Sequence, residues 1–292
     1  MSAVGWGTTN FRAFLLGADG AILDRRAAAS GILYVEAGAF AAALHAEIGD
    51  WLAGGERRVL LCGMIGSRQG WQEVPYLPCP AGAAELAGAV AEVAFAGAET
   101  RLVPGLTTVD AQGVPDVMRG EETKIVGALD ALDGNGLVCL PGTHAKWVRL
   151  HDRRIAGFTT HMTGEVFGAL REHTILGRMM RDAPLDIAAF DRGVARSADP
   201  GGLLHHLFGV RALGLMGSLT EEAGPSYLSG LLIGTEVRNA VTSGATVHLI
   251  GAEHLSARYA RAITACGGTV RMEDEDAAAR GLAAIARSLD WL

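Results

Sequence analysis

Short apolar runs alternate with polar turns at the start of the chain. Apolar residues at 3–4 precede Gly7-Thr8-Thr9, and the apolar positions Phe11 and 13–16 follow this turn. The pattern predicts a strand, a tight turn and a returning strand. Glycine lets a ligand approach the backbone, and the turn amides with the two threonine hydroxyls can bind phosphate. A hairpin with ordinary polar turn residues is the alternative interpretation.

A second copy of this pattern lies close to half the chain length away. The apolar run 137–140 leads into Gly142-Thr143-His144, and an apolar stretch containing Lys146 and Trp147 follows. Each hairpin precedes a short polar turn and a third strand, at 21–28 and at 155–161. The duplicated three-strand unit predicts two similar domains facing each other across a nucleotide, residues 1–133 and residues 134–292.

Periodicity along the rest of the chain predicts an α/β protein. Helices are expected at 35–52, 83–94, 117–132, 164–180, 185–196, 203–218, 227–242, 254–265 and 276–289, and further strands at 58–62, 100–103, 246–250 and 269–272. Phe40, Leu44 and Ile48 share one face of the first helix. Asp116 is placed to cap the helix 117–132, after a connector at 107–115. The long irregular stretch 63–80 is more typical of a functional loop than of an incidental connection.

Composition narrows the classes of partner. The chain has 292 residues, 49% of them hydrophobic, and a net charge of −7. This charge disfavours nucleic acid and anionic membranes, although a local arginine cluster can still bind an anionic substrate. No apolar run is long enough to span a membrane, and the four cysteines lack metal-binding spacing. We therefore expect a cytoplasmic protein, and the sequence leaves a homo-oligomer open.

Four motifs resemble those of the 2-dehydro-3-deoxygalactonokinases, and the resemblance covers nearly the whole chain. They are Trp6-Gly7-Thr8-Thr9-Asn10, Gly63-Met64-Ile65-Gly66-Ser67-Arg68-Gln69-Gly70-Trp71, Pro115-Asp116-Val117-Met118-Arg119-Gly120-Glu121-Glu122-Thr123 and Pro141-Gly142-Thr143-His144 with Lys146-Trp147. The resemblance implies two ribonuclease H-like domains of the actin/hexokinase/Hsp70 fold with a cleft between them. It also implies ATP- and Mg²⁺-dependent phosphorylation of the terminal C6 hydroxyl of 2-dehydro-3-deoxy-D-galactonate.

The resemblance also implies which residues contact the nucleotide. The two turns would contribute Gly7, Thr8, Thr9, Gly142, Thr143, His144 and Lys146, and the adenosine side would contribute Gly230, Gly234 and Gly251. Glycines inside helices also permit close helix packing, which is the alternative explanation for the last group. Kinases of this fold usually carry an aspartate two positions before the first turn glycine. Gly5 occupies that position here, so the metal ligand is unknown and weakened Mg²⁺ use is expected.

A base and a carboxylate-binding group complete the predicted site. Transfer to an alcohol benefits from a carboxylate that accepts the hydroxyl proton, for which Asp116 is the first candidate and Glu121 the second. A guanidinium suits the substrate carboxylate, with Arg68 preferred over Arg119. The other expected substrate contacts are Asn10, Ser67, Gln69, Trp71 and Glu165. A surface loop held by Trp71 is the alternative for the stretch 63–80.

Two rival functions remain at the level of sequence. One is a kinase of the same fold that acts on another sugar or sugar acid. The other is a degenerate, non-catalytic protein that binds nucleotide and sugar acid, and Gly5 is the residue in its favour.

Overall fold

The computed structural model describes residues 1–132, 134–273 and 276–292, which form two compact α/β units. The first unit contains the described residues of Met1–Asn135, Arg149–Phe158 and Asp274–Leu292, and the second contains Gly136–Val148 and Thr159–Glu273. The predicted boundary falls at Asp133, which lies outside the described residues. No described helix is long and apolar enough to cross a membrane.

The strands are β1 (Ser2–Trp6), β2 (Phe11–Leu16), β3 (Ile22–Ala28), β4 (Arg58–Cys62), β5 (Leu77–Pro78), β6 (Ala91–Val93), β7 (Glu99–Leu102), β8 (Leu106–Val109), β9 (Pro115–Met118), β10 (Gly136–Leu140), β11 (Ala145–His151), β12 (Arg154–His161), β13 (Thr246–Leu249) and β14 (Thr269–Met272). The helices are α1 (Phe40–Ala53), α2 (Ala83–Gly88), α3 (Glu121–Ala128), α4 (Thr163–His173), α5 (Ile187–Arg196), α6 (Gly202–Leu215), α7 (Gly224–Ala240), α8 (Glu253–Ala265) and α9 (Ala277–Arg287).

The described strands form three sheets. Their orders are β3-β2-β1-β4-β7-β6, then β12-β11-β10-β13-β14, and a small sheet β5-β8-β9. β1 pairs antiparallel with β2 and parallel with β4, which places Gly5 beside Arg12 on one side and Cys62 on the other. β4 and β7 are also parallel, so the segments after β1, β4 and β7 leave the same edge of the sheet. The two predicted three-strand units are confirmed.

The predicted face of α1 packs into the core of the first unit. Phe40, Leu44 and Ile48 are buried in a cluster with Trp6 and Phe11. Trp6 meets the Phe11 ring edge-on with ring centroids 5.1 Å apart, and its Nε1 donates to the Ser30 carbonyl oxygen at 2.8 Å. This packing fixes the strand that leads into the first Gly-Thr turn.

Helix boundaries were predicted well in the second half and less well in the first. α5 to α9 match their predictions to within three residues at each end, whereas α4 stops at His173 and a separate 3₁₀ turn follows. The prediction 35–52 begins too early, because Gly38 has φ +85° and α1 starts only at Phe40. The prediction 83–94 runs too far, because residues 91–93 pair with β7 as a strand.

The helix predicted at 117–132 is wrong at its start. Asp116 lies in β9, which pairs with β8 to form a hairpin over the predicted connector. α3 begins at Glu121, after Gly120 turns the chain with φ +107°. Asp116 is therefore a strand residue, and Gly120 occupies the N-cap position.

Two pairs of helices pack with their backbones nearly in contact. A Cβ on Gly281 of α9 would lie 1.7 Å from the Thr123 carbonyl oxygen of α3, and a Cβ on Gly127 would meet the Ala277 carbonyl oxygen at 1.8 Å. α5 and α7 approach equally closely in the second unit. Glycine at these positions permits the contact, since any side chain would force the helices apart.

We predict that Gly281→Ala destabilises the protein by about 1–3 kcal/mol, because the added methyl group must push α9 away from α3. Gly209→Ala is the matched control, since a Cβ there meets nothing within 4 Å. It should stabilise α6 by up to ~1 kcal/mol through helix propensity. Thermal unfolding of both variants measures the difference, and equal stabilities would contradict the packing argument.

Candidate active site

The first Gly-Thr turn is held in place by its own carbonyl oxygens. Those of Gly7, Thr8 and Thr9 accept hydrogen bonds of 3.0–3.2 Å from the amides of residues 31–33. A Cβ on Gly31 would lie 2.3 Å from the Thr8 carbonyl oxygen, so the contact depends on glycine. Thr8, Thr9 and Asn10 are exposed, with the Asn10 amide group donating to the Thr9 hydroxyl at 3.1 Å. The turn presents polar side chains from a fixed backbone.

The second Gly-Thr turn contacts the start of α4. The Glu165 amide donates to the Thr143 carbonyl oxygen at 3.1 Å, and a Cβ on Gly164 would lie 2.7 Å from the Gly142 carbonyl oxygen. The His144 ring and the Glu165 carboxylate form a hydrogen-bonded pair, and both side chains are about half exposed. The structure thus places Glu165, predicted to contact substrate, against residues predicted to contact the nucleotide.

A cavity of about 220 Å³ opens beside the second turn. Gly142 and Thr143 form part of its wall, and α8 contributes Leu255, Arg258 and Tyr259. Backbone amides and a guanidinium can bind phosphate, whereas the apolar side chains suit a flat ring. The sequence analysis did not single out these three α8 residues, which are separated from the turn by more than 100 positions.

A buried carboxylate fixes one wall of this cavity. The two Glu236 carboxylate oxygens accept hydrogen bonds from Trp147 Nε1 at 2.7 Å and from the Tyr259 hydroxyl at 2.8 Å. Burial, followed by the charge of Glu236, raises the pKa of the Tyr259 hydroxyl far above its ordinary value. Tyr259 is therefore a permanent donor, and its ring is held in one position beside the cavity.

The glycines predicted for the adenosine side have other neighbours. A Cβ on Gly230 would lie 2.0 Å from the Phe190 carbonyl oxygen, and one on Gly234 would meet Ser197 Oγ at 2.6 Å. Both face α5, so helix packing accounts for them. Gly251 lies beside the second turn, since a Cβ added to it would be 3.4 Å from Pro141 Cδ. Lys146 is buried within β11 at 5% exposure.

Three stretches of backbone meet at one edge of the first unit's main sheet. Gly63 follows β4 with φ +94°, and a Cβ there would lie 2.8 Å from the Trp6 carbonyl oxygen. An added Cβ on Gly120 would approach Gly63 Cα to 3.1 Å. Gly5 lies one strand residue before Trp6, and a Cβ there would meet Cys62 Sγ at 3.9 Å, an ordinary contact. The junction brings the ends of β1 and β4 to the start of α3.

Two consecutive carboxylates begin α3 at this junction. Glu121 accepts a hydrogen bond from the Arg119 amide at 3.1 Å, and Glu122 accepts one from the Gly120 amide at 2.7 Å. Glu122 is fully buried, and its Oε1 has no hydrogen-bond partner among the described residues. Burial, reinforced by the charge of Glu121, raises the pKa of Glu122 to about 8. Glu122 belongs to one of the four sequence motifs but had no predicted role; the glycine followed by two acidic residues is the local signal that marks it.

Asp116, the first candidate base, lies three residues before Arg119 in β9. Its Cα pairs with Thr108 across the β8–β9 hairpin, and its carboxylate accepts a hydrogen bond from the Val117 amide at 2.7 Å. The reason given for its role, a position at the start of a helix, does not hold. Glu121 occupies that position instead.

The stretch 63–80 is partly ordered by its own contacts. Ser67 donates to the Met64 carbonyl oxygen at 2.7 Å, and Trp71 packs edge-on against Phe95 with ring centroids 5.9 Å apart. Gln69 is exposed, and the Arg68 side chain is 87% exposed with its Nε 3.6 Å from Glu73. Trp71 therefore anchors the loop, and Arg68 extends into solvent.

Arg119, the second choice for the substrate carboxylate, is buried. It is 8% exposed, and its Nη2 donates to the Val74 carbonyl oxygen at 2.7 Å. The Tyr76 ring lies 4.3 Å from the guanidinium carbon. Nε and Nη1 are buried without a hydrogen-bond partner among the described residues.

The residues present do not form a protein-held metal site. No group of three or more His, Cys, Asp or Glu side chains within residues 1–132, 134–273 and 276–292 is arranged to hold a metal ion. Gly5 has no side-chain ligand at the position where kinases of this fold usually carry an aspartate. Mg²⁺ is usually bound by one or two carboxylates together with phosphate oxygens and water, so a protein ligand here would have to be a carboxylate other than a side chain at position 5.

Comparison with known proteins identifies relatives along the whole chain. The sequence profile of the 2-keto-3-deoxy-galactonokinase family matches residues 5–285. A 2-dehydro-3-deoxygalactonokinase from Escherichia coli (strain K12) is 35% identical over 98% of this chain and 97% of its own length. A protein from Rhizobium meliloti (strain 1021), named as a probable 2-dehydro-3-deoxygalactonokinase, is 39% identical over 99% and 97%.

Comparison with solved structures gives the same family. A crystal structure from Sinorhizobium meliloti, of a protein assigned as a 2-dehydro-3-deoxygalactonokinase, superposes with a TM-score of 0.90 at 38% identity, covering 100% of this chain and 99% of that one. Component A of the Acidaminococcus fermentans (R)-2-hydroxyglutaryl-CoA dehydratase shares the fold alone, with a TM-score of 0.52 at 12% identity over 99% and 98%. The predicted family and the predicted α/β fold class are confirmed.

We predict a pH-dependent stability difference between the parent protein and Glu122→Gln. The folded-state pKa of about 8 exceeds the ordinary value of 4.5, so between these values the folded chain holds a proton that the unfolded chain has lost. Glu122 therefore lowers stability as pH rises through this window, by at most ~1.4 kcal/mol per pH unit. Glutamine cannot ionise, so the variant should gain on the parent from pH 5 to pH 8 in chemical denaturation. Parallel stability curves would contradict the assigned pKa.

Proposed function

The chain belongs to the 2-keto-3-deoxy-galactonokinase family, and we propose that it transfers the γ-phosphoryl group of ATP to the C6 hydroxyl of 2-dehydro-3-deoxy-D-galactonate. The observation that carries this proposal is the family match, which spans nearly the whole chain. The two polar turns, the cavity beside the second turn and the carboxylates at the start of α3 supply chemistry that such a reaction needs.

We place the nucleotide in the second unit. Gly142 and Thr143 would bind phosphate oxygens, and Arg258 would neutralise part of their charge. Leu255 and the ring of Tyr259 would contact the adenosine. The turn Gly7-Thr8-Thr9 of the first unit offers a further set of amides and hydroxyls for phosphate. Bound Mg²⁺ supplies charge neutralisation on the phosphate oxygens in reactions of this type.

We place the acceptor hydroxyl at the start of α3. Its oxygen forms a bond to the γ-phosphorus, the bond from that phosphorus to the bridging oxygen of ADP breaks, and a carboxylate accepts the hydroxyl proton. Glu121 is the proposed base, because it opens α3 and the Arg119 amide orients its carboxylate. Asp116 remains the alternative from the sequence. Glu122 lies beside Glu121 and holds its own proton at neutral pH, which keeps a second negative charge away from the phosphates.

A non-catalytic binding protein is the second candidate, and Gly5 is the observation that favours it. A coupled ADP-release assay with ATP, Mg²⁺, several 2-keto-3-deoxy acids and neutral hexoses distinguishes the two. We expect the parent protein to turn over the galactonate-derived acid in preference to the hexoses. Preferred turnover of another acid would change the substrate, and absence of turnover would support the binding protein.

The same assay includes Gly5→Asp, with Gly5→Asn as the matched uncharged control. A Cβ fits at position 5, so the aspartate can be accommodated beside Cys62. We expect the Mg²⁺ concentration for half-maximal rate to fall about 10-fold in Gly5→Asp alone, as is usual for groups that orient a metal's ligands. An unchanged Mg²⁺ dependence would remove Gly5 as the cause of weak metal use.

The base is tested by comparing Glu121→Gln with Asp116→Asn. Both changes remove a charge and keep the side-chain shape. We expect Glu121→Gln to lower kcat by roughly 10²–10⁴-fold with little change in KM for ATP, because only proton acceptance is lost. A larger loss in Asp116→Asn would return the role to Asp116. Circular dichroism and unfolding curves establish that both variants are folded.

A further inference from the structure

The guanidinium of Arg119 is buried, and the described residues compensate its charge only weakly. Its single side-chain hydrogen bond goes to a neutral carbonyl oxygen, that of Val74, and the Tyr76 ring covers it at 4.3 Å. Nε and Nη1, two of its three nitrogens, are buried without a partner among the described residues. Buried charges are normally paired with an opposite charge, so this arrangement points to a group supplied from outside the chain.

No carboxylate of the described residues neutralises this guanidinium. The ion pairs within residues 1–132, 134–273 and 276–292 do not include Arg119. The hydrogen bond that joins Glu121 to Arg119 comes from the Arg119 backbone amide. Glu122 is close enough for the positive charge to act on its carboxyl group, yet its Oε2 is hydrogen-bonded to the Gly120 amide instead.

Arg68 has the opposite character. Its side chain is 87% exposed, it lies 3.6 Å from Glu73, and water already solvates its charge. Binding an anion to Arg68 would replace water around a guanidinium that is already well solvated. Binding an anion to Arg119 would satisfy a guanidinium that lacks hydrogen bonds, so the free-energy difference between bound and unbound states should be larger there.

Two of the groups that contact the guanidinium belong to one loop. Residues 67–76 lie between a 3₁₀ turn and β5, and this loop contributes the Val74 carbonyl oxygen and the Tyr76 ring to the surroundings of the guanidinium. Nη1 lies beside Gly66 of the 3₁₀ turn. Tyr76 itself is 39% exposed. Two parallel N–H bonds to a carboxylate come from Nη2 together with either Nε or Nη1, because the Nε and Nη1 hydrogens point in different directions. A carboxylate bound in this way approaches Nη2, where the Val74 carbonyl oxygen of the loop is bonded.

We infer that Arg119 is the residue that selects an acid substrate, by binding its carboxylate, and that loop 67–76 covers Arg119 until an acid arrives. The inference rests on the proposed kinase function and names the group that recognises the acid. Arg119 is two residues from Glu121 in sequence, so one short segment would carry both the carboxylate-binding group and the base. Neutral sugars would leave the buried guanidinium unsatisfied and would be rejected for that reason.

The test compares the 2-keto-3-deoxy acid with its C1 carboxamide, in the parent protein, Arg119→Met and Arg119→Lys. We expect the parent to prefer the acid by on the order of 100-fold in kcat/KM, as a site built for a polar group rejects an analogue lacking it. Arg119→Met should lose most of this preference, through KM for the acid, while KM for ATP stays within about twofold. Arg119→Lys should recover part of the preference, since it restores the charge without the fork.

Arg68→Met is measured beside these variants. Loss of the acid preference in Arg68→Met, with Arg119→Met unchanged, would overturn the inference. An equal loss for acid and carboxamide in Arg119→Met would also overturn it, because a purely structural role affects both substrates alike. If Arg119→Met does not fold, the inference is tested by the ratio of kcat/KM for the acid to kcat/KM for the carboxamide in Arg119→Lys.

Equilibrium binding separates this inference from the proposed function. Trp71 lies in the covering loop, so its fluorescence should change when the acid binds and should not change with the carboxamide. Acid binding that depends on Arg119 without any turnover would leave the inference standing and refute the kinase. Acid turnover that does not depend on Arg119 would support the kinase and refute the inference. If no acid in the panel binds the parent protein, both are refuted.

Discussion

The architecture of the first unit depends on backbone approaching backbone where no side chain fits. Gly63 lies against the Trp6 carbonyl oxygen, and Gly120 lies against Gly63. Gly63 has a positive φ angle and turns the chain away from the end of β4. Gly120 also has a positive φ angle and turns the chain into α3. Because these three stretches touch directly, the groups next to them, including Gly5 and the two carboxylates of α3, are collected at one edge of the sheet.

The buried Glu236 of the second unit and the buried Glu122 and Arg119 of the first unit differ in their hydrogen bonding. In the second unit, Glu236 has both carboxylate oxygens satisfied by Trp147 and Tyr259, and the result is a rigid wall beside the cavity. In the first unit, Glu122 and Arg119 each keep buried polar atoms without partners among the described residues. Fully satisfied polar networks specify one arrangement, whereas partly satisfied ones respond to whatever supplies the missing bonds. This contrast suits a nucleotide held in a fixed site and an acceptor that must be recognised.

Sequence reasoning recovered the features that depend on local pattern. Both Gly-Thr hairpins, the buried face of α1 and the α/β class follow from short-range periodicity. It failed where tertiary contacts decide: residues 115–118 are too short and polar to be recognised as a strand until β8 pairs with them. Nothing local shows that Arg119 is buried and Arg68 exposed, since Val74 and Tyr76 create that difference. Gly230 and Gly234 were predicted to contact the ligand because the sequence does not show that α5 packs against them.

The packing of α9 against α3 has a consequence for how the protein is made. The first unit needs residues 276–292, and the ribosome synthesises these only after the entire second unit. A nascent chain that has emerged as far as residue 135 therefore lacks the helix that packs against Thr123 and Gly127. Its α3, with the two carboxylates, can pack against the end of β4 but lacks α9 until synthesis has passed residue 281. The packing of the first unit is therefore completed only after the whole of the second unit has been synthesised.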